Sequence, residues 1–226
     1  MTRAAAVMLA LLGPVVLAGC VSQDLVRAGG AESGGHGAMS AGATPAGDVA
    51  AGTGGAGTIG SLSEGGARHY MENQKREFAT ALGDAQRRGE IDIELLPDGS
   101  LKLNLSSEAS FDVGSAVLKP AFSPTLQQVV DILKRYDRTV VHLIGHTDSA
   151  GPPVLNQRLS EERARSVAQF MLGQGVSPQR LQTQGRGERE PRYDNSTPEG
   201  RQLNRRVELI IKPVIRGQEQ QAFEVP

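Results

Sequence analysis

Residues 145–165, G-H-T-D-S-A-G-P-P-V-L-N-Q-R-L-S-E-E-R-A-R, decide how the chain is read. They follow an apolar, β-branched run at residues 139–144, pass through glycine and two prolines, and open an amphipathic helix that carries Asn156, Ser160 and Arg163. An unbroken apolar run of that length reads as a strand buried on both faces. The turn places Asp148 just past the strand end, and a crevice between strand end and helix start is where open sheets receive ligands. Asn156 and Arg163 are seven apart, nearly the same stripe of a helix, so both address one spot above the strand end. Arginine offers a planar fork to a carboxylate and aspartate receives an ammonium, so Asp148 and Arg163 form a site for a small zwitterion. Spacing leaves a second reading equally open, in which the two side chains bond each other.

Upstream, Ser123-Pro124 starts a helix with a capping serine and an early proline, and Phe122, Leu126, Val129, Val130, Leu133 and Tyr136 form one stripe facing a sheet. Residues 91–96 and 101–105 alternate around Pro97-Asp98-Gly99-Ser100 and predict a hairpin. A helix over residues 63–88, with Tyr70, Phe78, Ala81 and Leu82 inward, leads into it and stops at Gly89. Downstream of the helix at 154–172 come a strand at 181–185, a short helix capped by Thr197-Pro198 and a closing strand at 206–211. The predicted fold is an α/β (α+β) sandwich: a mixed parallel and antiparallel sheet packed by two long helices and one short one.

The chain has 226 residues, 24 basic and 25 acidic, for a formal net charge of -1. That length suits one domain with accessory segments, and the balanced charge without a basic run argues against a nucleic-acid partner. The single cysteine, Cys20, excludes an internal disulfide and a cysteine-rich metal site. Residues 1–19 give a basic start at Arg3, an apolar run too short to span a membrane and Leu17-Ala18-Gly19 before Cys20, which together predict a secretory signal peptide. Residues 20–61 are rich in Gly, Ala, Ser and Thr, too poor in large apolar side chains to offset ordering entropy, and read as a flexible tether spanning about 35 Å. A glycine zipper is the other reading of the same small residues. Residues 214–226 are polar, end in Pro226 and are expected to be disordered.

Catalysis and cofactors find little support. There is no H-E-x-x-H for zinc and no G-x-S-x-G elbow for a nucleophile, and His146 beside Asp148 is the one acid-base neighbourhood. Glu161 and Glu162 are adjacent on a helix and diverge. The expectation is a protein that is not an enzyme and uses neither cofactor nor metal.

The ordered motifs G-H-T-D-S-A-G, N-Q-R-L-S-E-E-R-A-R-S-V, G-V-S-P-Q-R-L, G-R-G-E-R-E-P and N-S-T-P-E-G-R-Q-L-N-R-R-V-E-L resemble the OmpA-like peptidoglycan-binding domain, also found in peptidoglycan-associated lipoproteins and flagellar stator proteins. The resemblance covers residues 107–213, with 62–106 as a lead-in helix and hairpin. It implies that Asp148 and Arg163 clasp the free amino-acid end of diaminopimelate in the peptide stem of the cell wall, and that Thr147 and Asn156 add polar contacts. It also implies that F-D-V-G-S lines the pocket with Asp112 as its acid. Arg205 and Arg206 match the family's N-R-R, and wall contact and bracing of the fold both remain open for them. L-A-G-C resembles the bacterial lipobox, with Cys20 lipidated and Val21 after it favouring the outer membrane. Each buried methylene of such chains contributes about 0.8 kcal/mol, so several chains anchor stably. The implied function is an outer-membrane lipoprotein whose periplasmic domain grips peptidoglycan. The alternative is an envelope assembly factor that chiefly recruits a protein partner.

Overall fold

The computed structural model describes residues 59–226; the expected signal peptide, Cys20 and nearly all of the tether lie outside the described residues. Five strands form one sheet in the order β1-β2-β5-β3-β4. They are β1 (Ile91–Leu95), β2 (Leu101–Ser106), β3 (Thr139–His146), β4 (Leu181–Gly187) and β5 (Arg206–Pro213). β3 and β4 run parallel, and the other neighbours are antiparallel. This is the expected mixed sheet in an α/β sandwich.

Strand alternation sends one set of side chains to the helices. Leu101, Leu103 and Leu105 of β2, Val141 and Leu143 of β3, and Val207, Leu209 and Ile211 of β5 are all buried in one core. Onto them pack α1 (Glu64–Ala81) through Met71 and Phe78, α4 (Ser123–Arg135) through Leu126, Val129, Val130 and Leu133, and α5 (Pro153–Gly173) through Ala164, Val167, Ala168 and Met171. The two expected long helices, α4 and α5, and the expected lead-in helix α1 together cover the sheet. The lead-in helix and hairpin are not an appendage: β2 is paired on both edges, and Phe78 and Leu82 share the core with β3 and β5. Short helices α2 (Gly83–Arg87), α3 (Ser107–Ser110), α6 (Pro198–Asn204) and α7 (Glu219–Phe223) complete the described residues.

All eight residues of β3 are buried, so its second face needs a cover as well. The carboxyl-terminal segment supplies part of it, which corrects the expectation of a disordered tail over residues 214–226. Leu62 and Ile215 form a parallel bridge, with Leu62 N donating to Val214 O at 2.8 Å and Arg216 N to Leu62 O at 2.8 Å. Val214 and Ala222 bury against Val140, and the Ala222 carbonyl accepts a 2.8 Å hydrogen bond from His142 Nε2. A few apolar residues in a polar segment suffice because the strand beneath them would otherwise be wet.

Two glycines bring α5 down onto the sheet. A Cβ on Gly145 would stand 2.0 Å from Ser160 O, and one on Gly185 would stand 2.5 Å from Ser160 Oγ. Ser160 Oγ in turn accepts from Gly187 N at 2.9 Å and donates to Gln157 O at 2.7 Å. The helix start is thereby fixed over the ends of β3 and β4.

Candidate functional site

At the carboxyl end of β3 the ladder shifts register between Gly145 and His146, and Thr147 N still donates to Gly187 O at 2.9 Å. Beyond it Asp148 Oδ1 accepts from Ala150 N at 3.0 Å, a local turn that Gly151 completes with φ 94. Asn156, in the first turns of α5, donates through Nδ2 to Ala150 O at 3.1 Å and to Glu188 Oε2 at 2.6 Å. It clamps the turn against the loop after β4. A cavity of about 630 Å³ opens beside it, lined on one side by Thr147, Asp148, Asn156 and Arg163 and on the other by Phe111, Asp112 and Arg205.

Asp148 and Arg163 do not pair. The Asp148 carboxylate, 7% exposed, takes a 2.6 Å bond from Arg205 Nη1 through Oδ2. The other arm of Arg205 reaches Glu108. Burial works against charge on Arg205, but its bonds to Asp148 and Glu108 outweigh that and hold its pKa above the ordinary guanidinium value. Arg163, 4% exposed, donates from Nε to Ser115 O at 2.9 Å and lies 5.3 Å over the Phe111 ring. Its two terminal NH2 groups make no hydrogen bond among the described residues. Burial, and then Arg205, push its pKa below the ordinary value, with Asp148 pulling the other way. A guanidinium does not lose its proton in a protein, so what the shift records is a charge held at a disadvantage.

The cavity lining holds three acids, Glu108, Asp112 and Asp148, and three bases, Lys119, Arg163 and Arg205. A balanced rim of that kind suits a ligand with both charges better than a simple anion. Two hydroxyls on the lining, Ser107 Oγ and Thr147 Oγ1, are buried with no hydrogen-bond partner among the described residues. They are donors and acceptors that the fold itself does not use.

Of the residues expected at the site, Asp148, Arg163, Asn156, Thr147, Asp112 and Arg205 line one cavity. Arg206 does not line this cavity. It is the first residue of β5, turned to the face opposite the helices, where Nε meets Glu208 Oε1 at 2.7 Å and Nη1 meets Asn204 O at 3.1 Å. His146 is likewise off the cavity. It is buried 3.8 Å from Glu208, and burial with nearby Arg206 drives its pKa down to about 3, so it stays neutral. Glu108, Ser107, Lys119 and Leu159 were not legible as site residues. Glu108 meets Arg205 across 97 positions of sequence, a pairing without a local signal.

Comparison with known proteins follows the same boundaries. The chain is 42% identical over 150 residues to the probable lipoprotein YiaD of Escherichia coli, covering 66% of each chain. It is 38% identical over 102 residues to the peptidoglycan-binding protein ArfA of Mycobacterium bovis, covering 45% of this chain and 31% of that one. Among solved structures, the cell wall anchor of the T6SS from Pseudomonas aeruginosa superposes with a TM-score of 0.55 at 28% identity, over 60% of this chain and 96% of that one. The chain thus spans less than two thirds of the length of these curated relatives. The OmpA family model matches residues 110–205, the segment that runs from the Phe111 loop to Arg205 and so contains nearly the whole cavity, and this segment is an OmpA-like domain.

Proposed function

We propose that the cavity holds the free amino-acid end of diaminopimelate in a peptidoglycan stem, and that the protein binds the cell wall without covalent bonds. The observation that carries this reading is the Arg163 guanidinium, buried at the cavity with both NH2 groups unused while Asp148 faces the same space paired to a different arginine. A ligand carboxylate completes the fork of Arg163, and a ligand ammonium joins the Asp148 carboxylate, which has lone pairs beyond those used by Arg205 and Ala150 N. Thr147 and Ser107 line the same cavity, and rotation of either sealed hydroxyl toward it would add a polar contact. The names of ArfA and of the cell wall anchor, given to relatives that share this domain, support the same ligand class. The work asked of these side chains is recognition, not catalysis.

The anchor is the second part of the proposal. Cys20 follows Leu17-Ala18-Gly19, and the relative YiaD carries the name of a probable lipoprotein. Lipid at Cys20 holds the protein in the outer membrane, and the glycine-rich segment lets the domain reach the wall from the periplasmic side. Co-sedimentation of the purified protein with diaminopimelate-type sacculi tests the first part. Wild type is expected in the pellet, with Asp148→Ala and Arg163→Ala left in the supernatant; equal pelleting of all three sinks the reading. Cys20→Ser is expected to leave the membrane fraction while still pelleting with sacculi.

A further inference from the structure

Arg205 is a wall shared by two cavities. On one side it bonds Asp148 and Glu108 at the site above, and on the other it lines a second cavity of about 460 Å³ set between α6 and the β1–β2 end of the sheet. Tyr193, Leu203, Asn104, Gln202, Gln86 and Arg192 contribute to its lining. Tyr193 is 49% exposed, yet its backbone is fixed: Tyr193 N donates to Asn204 Oδ1 at 3.0 Å and Tyr193 O accepts from Asn204 Nδ2 at 2.8 Å. Asn204 is fully buried and also accepts from Arg192 N at 2.9 Å. An aromatic ring held open to solvent on a pinned loop offers contact area with little conformational entropy left to lose.

The basic side chains of this cavity are already met, while Asp92 on its exposed edge makes no ion pair among the described residues and can accept from a hydroxyl or amide. Arg192 lies 3.6 Å from Glu94 and 3.9 Å from Glu208, Arg206 bonds Glu208, and Arg205 bonds Asp148 and Glu108. Such a lining has no standing need for an anion. An exposed ring and Leu203, set among the side-chain amides of Gln86, Asn104 and Gln202, instead fit a neutral ligand with one apolar face and alternating donors and acceptors at its edge. That is the chemistry of an N-acetylated sugar ring.

We propose that the second cavity is a saccharide subsite, which receives the amino sugar that carries the stem peptide whose diaminopimelate sits on Arg163. The proposal rests on the reading of the first cavity as the diaminopimelate site. In the wall polymer two residues and the length of the diaminopimelate side chain separate its free amino-acid end from the sugar's lactyl group, about four residue lengths or roughly 14 Å when extended. A sugar on that leash stays beside Arg205, so even weak contacts with Tyr193 add to affinity through effective concentration.

The test compares two probes on the purified full-length protein by calorimetry: the free stem tripeptide ending in diaminopimelate, and the same tripeptide on its N-acetylglucosaminyl-N-acetylmuramyl disaccharide. The disaccharide probe is expected to bind about fivefold tighter or more. Tyr193→Ala should erase that difference while leaving tripeptide affinity unchanged, and Tyr193→Phe, which keeps the ring, should retain it. Equal affinities in the wild type, or a Tyr193→Ala loss that is the same for both probes, overturn the subsite while leaving the first cavity's reading in place. Failure of both probes to bind overturns the two readings together.

Discussion

Arg163 and Arg180 are equally buried, each 4% exposed, and neither pairs with a carboxylate among the described residues. Their surroundings differ completely. Arg180 donates to Thr139 O and Leu133 O at 2.7 Å, and to Tyr136 O and Thr139 Oγ1 at 2.8 Å. Leu133 and Tyr136 sit at the end of α4, where helix carbonyls lack internal partners, and Thr139 begins β3. Every arm of that guanidinium closes the fold. Arg163 has one hydrogen bond and an aromatic ring, and its remaining donors border a cavity. One residue type at one depth thus serves two ends, and the count of satisfied donors tells them apart.

Stability is where the two should separate most. Arg180→Ala strands the buried carbonyls of Leu133 and Thr139, each of which costs about 1–3 kcal/mol unpaired, while Tyr136 O keeps its bond from Thr139 Oγ1. Urea unfolding is expected to show a loss of roughly 3–5 kcal/mol; a loss under about 1 kcal/mol would mean water replaces the arginine freely and the contrast is false. Arg163→Ala gives up one hydrogen bond and a cation–π contact but also removes a desolvated charge, so its stability should stay within about 1 kcal/mol of wild type. Its affinity for diaminopimelate-type sacculi is expected to fall about a hundredfold, close to 2.7 kcal/mol. A variant that binds normally yet unfolds early would make Arg163 a second Arg180.

The distinction was only half readable from sequence. The unbroken apolar run at 139–144 and the stripe from Leu126 to Leu133 announced the strand and helix that build the crevice, because burial leaves a periodic mark. Asp148, Asn156 and Arg163 were legible because they share a turn and one helix stripe. Arg205 could be named but not given its role, since its partners Asp148 and Glu108 lie 57 and 97 positions away. Arg206 sits one residue on and turns to the other face, a division that depends on where α6 ends and β5 begins. The tail misled for the opposite reason. Val214 and Ala222 are too sparse to make a pattern, and they pack because β3, with partners on both edges, needs both faces covered.

His146 and Thr147 extend the comparison to neighbours in sequence. Both are buried with unpartnered side-chain atoms, but only Thr147 lines the cavity. His146 has a pKa near 6.5 in the unfolded chain and about 3 in the fold. As pH falls below about 6.5 the unfolded state takes the proton first, so stability is complete above that pH and drops toward pH 3 by about 1.4 kcal/mol per unit. His142, whose pKa burial also lowers, acts in the same direction. Unfolding free energies measured between pH 6 and 5 should fall less steeply for His146→Gln than for wild type. Identical slopes would show that His146 finds a partner for its proton in the fold.

Thr147→Val is the finest test, because valine keeps the shape and replaces only the hydroxyl. In the fold Thr147 Oγ1 has no partner among the described residues, so the exchange removes a buried polar group that contributes nothing there. Stability should hold or rise by up to about 1 kcal/mol. Binding is expected to weaken about fivefold, roughly 1 kcal/mol, the net worth of one neutral hydrogen bond to the ligand. Ser107→Ala, which removes the other unpartnered hydroxyl on the lining, should behave alike. Loss of stability with unchanged binding in either variant would assign the hydroxyl to the fold. The reverse result places the unused donors of Arg163, Thr147 and Ser107 in a single recognition surface, distinguished from the rest of the interior by what it leaves unpaired.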